Sequence, residues 1–346
     1  MYTEYPDFDG HALIASRDNP KIGFSAFIAI HSEARGPAMG GCRIVPYKTP
    51  AIAITDVLRL SRGMSYKNAI ANIPYGGGKA VIIADPNCAH KKALLHEMGD
   101  FVRSLEGRYI TSFDSGTTLD DVRTMGERTE FVAGTLAEAG NASLTTARGV
   151  YHCLRASAEL RFGSTNLDGM KIAIQGVGNV GGRLARLLAA DGAKLVIADR
   201  DQSAANAISE ELGAEIETVD NILSRDVDIL APCALGAILN ESSIPTIRAK
   251  VIVGGANNQL ARQEDDIRLK KHEILYCPDY VANAGGIIDL HYQRSGWNAE
   301  AVETHVRTLA DTFMEIAARA EQEGRGTGAV ADAIASERIR HNGTKK

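Results

Sequence analysis

Apolar and polar positions change period several times along the chain. Residues 24–30 (FSAFIAI) and 42–45 are apolar and β-prone, and both runs read as strands. Ile54, Val57 and Leu58 then share one helical face behind Thr49, a capping residue, and Pro50, which suits a first turn; Gly63 is expected to end that helix. Residues 80–84 (AVIIA) form a continuous apolar run stopped by Asp85-Pro86, the mark of a buried strand. Leu94, Leu95, Met98, Phe101, Val102 and Leu105 recur at helical spacing, and residues 109–112 predict a short strand after Gly107. This half is α/β. Residues 143–160 predict a linker helix and 163–169 a polar loop. Beyond it a strand at 171–175, a helix at 179–190 and a strand at 194–198 are followed by further strands at 228–231, 250–253 and 273–276. Such alternation argues for a doubly wound parallel sheet. From 301 to about 321, Val302, Val306, Leu309, Phe313, Ile316 and Ala320 make an apolar stripe spaced by three and four, expected to pack back across the domains.

At about 150 residues per domain, 346 residues make roughly two. With 38 Lys+Arg against 43 Asp+Glu the net charge is −5, so no positive surplus is present to neutralise a nucleic-acid backbone. No apolar run reaches the ~18 residues of a membrane helix, and the first residues lack the basic and apolar regions of a signal peptide. A cytoplasmic chain with neither nucleic-acid nor membrane partner is expected. The five cysteines, Cys42, Cys88, Cys153, Cys233 and Cys277, are odd in number, far apart and never in a CxxC pair, so neither a disulfide framework nor a metal site is expected of them.

Gly176-Val177-Gly178-Asn179-Val180-Gly181 directly follows a predicted strand and opens a helix. Gly176 allows the tight turn, Gly178 lets the backbone approach a pyrophosphate, and Gly181 permits close helix packing. Asn179 and Val180, at the helix N-terminus, bring free N–H groups to the anion. Asp199 closes the next strand at about the 20-residue interval expected of the acid that bonds a ribose 2′-OH. A carboxylate there repels a 2′-phosphate and favours NAD over NADP. Arg200 beside it pairs with a phosphate if it turns inward and faces water if it turns outward. NAD is the expected cofactor, on a Rossmann-type domain.

In the first half, Tyr75-Gly76-Gly77-Gly78-Lys79 strips side-chain bulk from in front of a lysine that enters a strand, a setting for a crowded, desolvated ammonium. Met64-Ser65-Tyr66-Lys67-Asn68 carries a second lysine. Two converging cations would lower each other's pKa and bind a carboxylate. Asp114 follows the strand at 109–112, where catalytic acids are often placed.

Together these segments resemble the amino acid dehydrogenase family of glutamate, leucine, valine and phenylalanine dehydrogenases, above all its leucine/valine branch. The likeness covers nearly the whole chain. It rests on residues 36–43 (GPAMGGCR), 64–69 (MSYKNA) and 76–79 (GGGK), Asp114 with Gly116-Thr117, and residues 176–181, 231–236 (APCALG), 255–260 (GANNQL) and 278–286 (PDYVANAGG). The resemblance implies two domains with an active-site cleft between them. Residues 1–140 form the α/β substrate and oligomerisation domain, 141–324 the NAD-binding domain, and the tail 325–346 returns to the first. It also implies a homo-oligomer, a dimer or an octamer. Lys67 would hold the substrate α-carboxylate, Lys79 would be the low-pKa group that activates water, and Asp114 would shuttle protons to and from the amino group. Gly40 and Gly41 would leave room for substrate. Thr146 would reach the nicotinamide amide, Asn257, with Asn258 beside it, would contact the nicotinamide side, and Cys233, Ala234 and Leu235 would line the cofactor cleft through backbone and apolar contacts. The reaction is oxidative deamination through an iminium and a carbinolamine to a 2-oxo acid and ammonia, and its reverse.

Two positions depart from the leucine branch. Phe113 stands where that branch usually carries an acidic residue, and Asp289 replaces a commoner neutral amide; Asp289 is expected to be a solvated helix residue, the alternative being that it meets a polar substrate group. Met39, Ile287 and Leu290 would line the side-chain pocket. All are apolar, which argues against glutamate, whose γ-carboxylate needs a cation or donors. A branched aliphatic substrate (leucine, valine or isoleucine) is expected, with an aromatic substrate or a catalytically silent NAD-binding regulator as alternatives. None of the nine histidines stands in a motif of the kind used by hydroxy acid dehydrogenases.

Overall fold

The structure, a computed structural model, describes residues 2–135, 142–234 and 236–343. The chain divides into two compact units. One comprises Met1–Ala139, Leu290–Trp297 and Ala335–Lys346, the other Gly140–Asp289 and Asn298–Ile334.

The first unit is built on a five-stranded sheet of β1 (Leu13–Asn19), β2 (Phe24–Ser32), β3 (Ala38–Val45), β4 (Gly76–Ile83) and β5 (Tyr109–Phe113), in the order β1-β2-β4-β3-β5. The first two pairings are antiparallel; β4, β3 and β5 run parallel. The inner strands are apolar on both sides because both faces are covered. On one face α1 (Pro50–Ile70) packs Ile54, Val57 and Leu58 against Phe27, Ala29 and Val81. On the other, α2 (Lys91–Arg103) and α3 (Leu119–Gly126) bury Leu94, Met98, Phe101 and Met125 against Ile28, Cys42, Ile82 and Tyr109.

Thr49 caps α1 by accepting from the Ile52 N–H (3.4 Å), with Pro50 in the first turn. Gly63 does not end the helix. It is exposed, costs only about 1 kcal/mol relative to alanine there, and the buried stripe resumes beyond it at Ser65, Asn68, Ala69 and Ile70. Burial of that last turn outweighs the local penalty.

The second unit carries a parallel sheet of β6 (Lys171–Gln175), β7 (Lys194–Ala198), β8 (Glu215–Ile216), β9 (Ile229–Pro232), β10 (Val251–Ile252) and β11 (Leu275–Tyr276), in the order β11-β10-β9-β6-β7-β8. Strand order reverses between β6 and β9, the switch point at whose carboxyl ends doubly wound sheets bind ligands. Around the sheet run α4 (Ala142–Phe162), α5 (Gly181–Ala190), α6 (Gln202–Leu212), α7 (Glu264–Lys271) and the single turn α8 (Asp279–Ala282). They are followed by α9 (Gly285–Ser295), α10 (Ala299–Gln322) and α11 (Thr327–Gly343). The stripe of α10 packs on α4 and α8 within this unit. The chain rejoins the first unit in α11, where Ser336 Oγ meets the Tyr66 hydroxyl (3.2 Å) and Arg338 donates to the Ile70 carbonyl (3.0 Å). Among the described residues no helix is long and apolar enough to cross a membrane.

Candidate active site

In the first unit the chemistry gathers on three adjacent parallel strands. Lys79 lies in β4, Arg43 in β3, and Asp114 directly after β5. Because β3 runs between the other two, Lys79 and Asp114 must reach each other across it. Gly41 makes that possible: a Cβ there would overlap the Phe113 carbonyl oxygen and stand 2.9 Å from the Asp114 Cβ. At Gly40 a Cβ would overlap the Gly78 carbonyl oxygen. Neither position has room for a side chain.

Lys79 is 5% exposed, and its Nζ forms an ion pair with Asp114 Oδ2. The other carboxylate oxygen accepts from Arg43 Nε (3.1 Å) and from the Ser115 N–H. Thr117 fixes the turn, its hydroxyl accepting from the Asp114 N–H (2.8 Å) and donating to the Cys42 carbonyl (2.8 Å). Burial alone would raise the proton affinity of Asp114. The charges of Lys79 and Arg43 and the hydrogen bonds to its oxygens together outweigh it and hold the carboxyl well below the usual carboxylate range.

Lys67 is half-buried in the last turn of α1. That turn is locked to the sheet: Asn68 Nδ2 donates to the carbonyls of Gly76 (2.6 Å) and Met39 (3.3 Å), and Ser65 sits directly on Gly77. Against Lys79 the structure places the Asp114 carboxylate. Met39 is fully buried and Leu290 nearly so. A Cβ on Gly134 would stand 3.1 Å from Leu290 Cδ2 and 3.3 Å from Ser112 Oγ, a buried hydroxyl without a hydrogen-bond partner among the described residues. Phe113 is 36% exposed, an apolar side chain at the surface beside Asp114.

Behind α1, His31 shares a hydrogen bond with Ser65 Oγ (2.8 Å) and lies 3.4 Å from Asp9 and 5.0 Å, ring to ring, from His11. Burial first, and then the neighbouring His11, push its pKa from 6.5 down to about 4. The unfolded chain therefore takes up this proton before the folded one does, so stability is lost as pH falls from about 6.5 towards 4, by up to roughly 3 kcal/mol. His31→Gln is expected to flatten the dependence of Tm on pH in that window; an unchanged slope would refute this.

In the second unit the glycine loop joins β6 to α5 at the switch point. Gly176 has φ +91°, which glycine adopts freely. A Cβ on Gly181 would overlap the Gly176 carbonyl oxygen and meet the Cys233 Cβ at 3.0 Å. Gly178 differs, with no atom of the described residues within 4 Å of such a Cβ. Packing within the described residues does not require glycine there. No side chain caps α5, whose first residue is Gly181, two positions later than the sequence pattern indicated. Its N-terminal N–H groups, with Asn179 and Val180 leading into them, suit a diphosphate.

Asp199 supports the loop from β7, accepting from the N–H groups of Val177 (2.7 Å) and Asp201 (2.9 Å). Arg200 is exposed. Cys233 Sγ accepts from the Gly255 N–H (3.5 Å), and burial pushes its thiol up to about 11, so it is no nucleophile at neutral pH. Ala234 packs beside Gly176, while Leu235 lies outside the described residues. Asn257 Oδ1 accepts from Asn283 Nδ2 (3.0 Å), and the Asn258 N–H donates to Asp279. The Thr146 hydroxyl donates to the Ala142 carbonyl (2.7 Å) and faces Gly286. Ile287 is buried.

Asp289 is not the solvated residue expected of it. It is fully buried, 3.2 Å from the Thr145 hydroxyl, because α9 packs that face against α4. The sequence reading also passed over Arg43 and Asn68, although both lie in the motifs that carry the resemblance. A charge inside an apolar strand was the available signal for Arg43.

A sheet that reverses at a glycine loop backed by an aspartate, and a buried Lys–Asp pair on a separate sheet, define a dinucleotide-dependent oxidoreductase. Residues 13–135 match the family description "Glu/Leu/Phe/Val dehydrogenase, dimerisation domain" and residues 197–344 match "Glutamate/Leucine/Phenylalanine/Valine dehydrogenase". Residues 141–238 match the NAD binding domain of D-isomer specific 2-hydroxyacid dehydrogenase. The chain is 41% identical to leucine dehydrogenase of Bacillus cereus over 98% of its length and 92% of that protein's. It is 44% identical to L-tryptophan dehydrogenase of Nostoc punctiforme (97% and 96%) and 42% identical to valine dehydrogenase of Streptomyces virginiae (97% and 95%). The crystal structure of the Nostoc punctiforme L-tryptophan dehydrogenase, 43% identical, matches with a TM-score of 0.86 over 96% of this chain and 97% of that one. The chain belongs to the glutamate/leucine/phenylalanine/valine dehydrogenase family. It is an amino acid dehydrogenase, and its cofactor is NAD.

Proposed function

We propose that the enzyme oxidatively deaminates a branched-chain aliphatic L-amino acid (leucine, valine or isoleucine) to its 2-oxo acid and ammonia, and runs the reverse amination. The buried Lys79–Asp114 pair carries this reading, since it sets a base and an acid in contact away from bulk water. Lys67 holds the α-carboxylate. Asp114 exchanges protons with the substrate nitrogen, and Lys79 takes the proton of the water that adds to the iminium carbon. NAD, when bound, supplies the hydride acceptor. Gly176, Gly178, Asn179, Val180 and Gly181 seat its diphosphate, and Asp199 accepts from the adenosine ribose with Arg200 at its edge. Thr146, Asn257, Cys233 and Ala234 take the nicotinamide half.

Met39, Ile287 and Leu290 are apolar and buried, which supports an aliphatic side chain over a γ-carboxylate. A second reading, an aromatic substrate, is favoured by the Ser112 hydroxyl near Leu290, which has no partner among the described residues and which an indole N–H would satisfy, and by the tryptophan dehydrogenase relative. A homo-oligomer, dimer or octamer, fits the match of residues 13–135 to a dimerisation domain. A cytoplasmic setting fits the five free cysteines.

The test is kcat/KM for leucine, valine, isoleucine, phenylalanine, tryptophan and glutamate, with NAD and NADP in parallel. The three aliphatic substrates should fall within about 10–200-fold of one another and well above glutamate. A preference for tryptophan or phenylalanine replaces the first reading with the second, and a preference for glutamate refutes both.

A further inference from the structure

The Lys79–Asp114 pair is the inner end of a longer run of alternating charge. From Asp114 Oδ1 it passes to Arg43 Nε (3.1 Å), from Arg43 Nη1 to Asp56 Oδ2 (2.9 Å) of α1, and from that oxygen to the Tyr47 hydroxyl, which donates to it at 2.5 Å. Side-chain exposure rises along it, from 6% at Lys79 through 16% at Asp114 and 23% at Arg43 to 28% at Asp56.

We propose that Arg43 is a positioning residue of the reaction: clamped by Asp56 and Tyr47, its guanidinium aims Asp114 at Lys79 and remains its counter-charge whenever Lys79 gives up its proton. This rests on the roles proposed for Lys79 and Asp114. A carboxylate as buried as Asp114 needs a cation beside it. Lys79 serves only while protonated, and the proposed reaction takes that proton away. A guanidinium does not titrate in the working range, and its rigid fork reaches two carboxylates at once.

The remaining groups around Asp114 do not fill the same place. Cys42 lies behind β3 with its thiol pushed up to about 12, by burial first and then by Asp114. Asp121 of α3 is paired to Lys91 of α2 (2.7 Å). Tyr109 is buried on the opposite face of the sheet, and Lys67 lies at the far end of α1 from Asp56. Burial and then the hydrogen bond to Asp56 push the Tyr47 phenol up, so it stays a donor.

The experiment is the pH profile of kcat/KM for the best substrate, in wild type, Arg43→Gln, Arg43→Lys and Asp114→Asn, with NADH binding followed by fluorescence. Loss of the cation favours the protonated form of the pair. In Arg43→Gln the limb on which activity rises with pH should therefore move up by about one unit or more, with kcat lowered and NADH affinity unchanged. Arg43→Lys keeps the charge and loses the fork, so the limb should stay in place while kcat falls about tenfold and KM changes little. An unmoved limb in Arg43→Gln, or wild-type kcat in Arg43→Lys, overturns the proposal; should Arg43→Gln not fold, Arg43→Lys decides alone. Wild-type activity in Asp114→Asn refutes the underlying reading instead. Loss of activity there with an unmoved Arg43→Gln limb refutes only the role of Arg43.

Discussion

Lys79→Ala is expected to lower kcat for amino acid oxidation and for reductive amination alike, by about 10²–10⁴-fold, the usual worth of a positioned proton-transfer group. Two effects add in one direction. The group that handles the water proton is gone, and Asp114 keeps Arg43 as its cation in a place built for two. NADH binding should survive, since the glycine loop belongs to the other unit. A Lys79→Ala enzyme that still oxidises NADH with 2-oxo acid and ammonia at the wild-type rate would refute the mechanism. Loss of both activity and NADH binding would point to a folding defect, and Lys79→Met, which keeps the aliphatic stem, separates the two.

The second large effect is expected at the glycine loop, where two neighbouring glycines should behave differently. Gly178→Val adds a side chain whose Cβ has no described protein atom within 4 Å, so Tm should stay within about 2 °C of wild type. Affinity for NADH should nevertheless fall about 100-fold or more, because the new methyl groups stand where the diphosphate approaches the backbone. Gly181→Ala places its methyl on the Gly176 carbonyl and should lower Tm as well as affinity. Thermal melts and fluorescence titration read both. Wild-type NADH affinity in Gly178→Val would show that the loop does not seat the diphosphate.

The buried parallel strands were legible because burial on two faces leaves an unbroken apolar run. The strands at 171–175 and 194–198 match β6 and β7 residue for residue. The edge strand β1 escaped notice: its sequence LIASRDN is half polar, and it is held by backbone pairing to β2, which leaves no mark in the side-chain pattern. Lys79 stood out by the glycines before it, and the dinucleotide loop by its spacing. Asp289 could not be placed, since whether a helix residue faces water or α4 depends on packing that one helix's sequence does not contain. The run through Arg43, Tyr47, Asp56, Lys79 and Asp114 was invisible for a related reason. Its members come from β3, the turn after it, α1, β4 and the end of β5, and only the register of three strands brings them together.

The bare stretch of β3 at Gly41 has a mechanical consequence. Lys79 and Asp114 meet over β3, across the two sheet spacings, about 9–10 Å, from β4 to β5, so their separation is set by the ladder beneath them and by the Thr117-held turn that follows β5. The reactive pair is assembled when the sheet forms, before any substrate arrives. Activity should therefore not outlast the melting of this sheet.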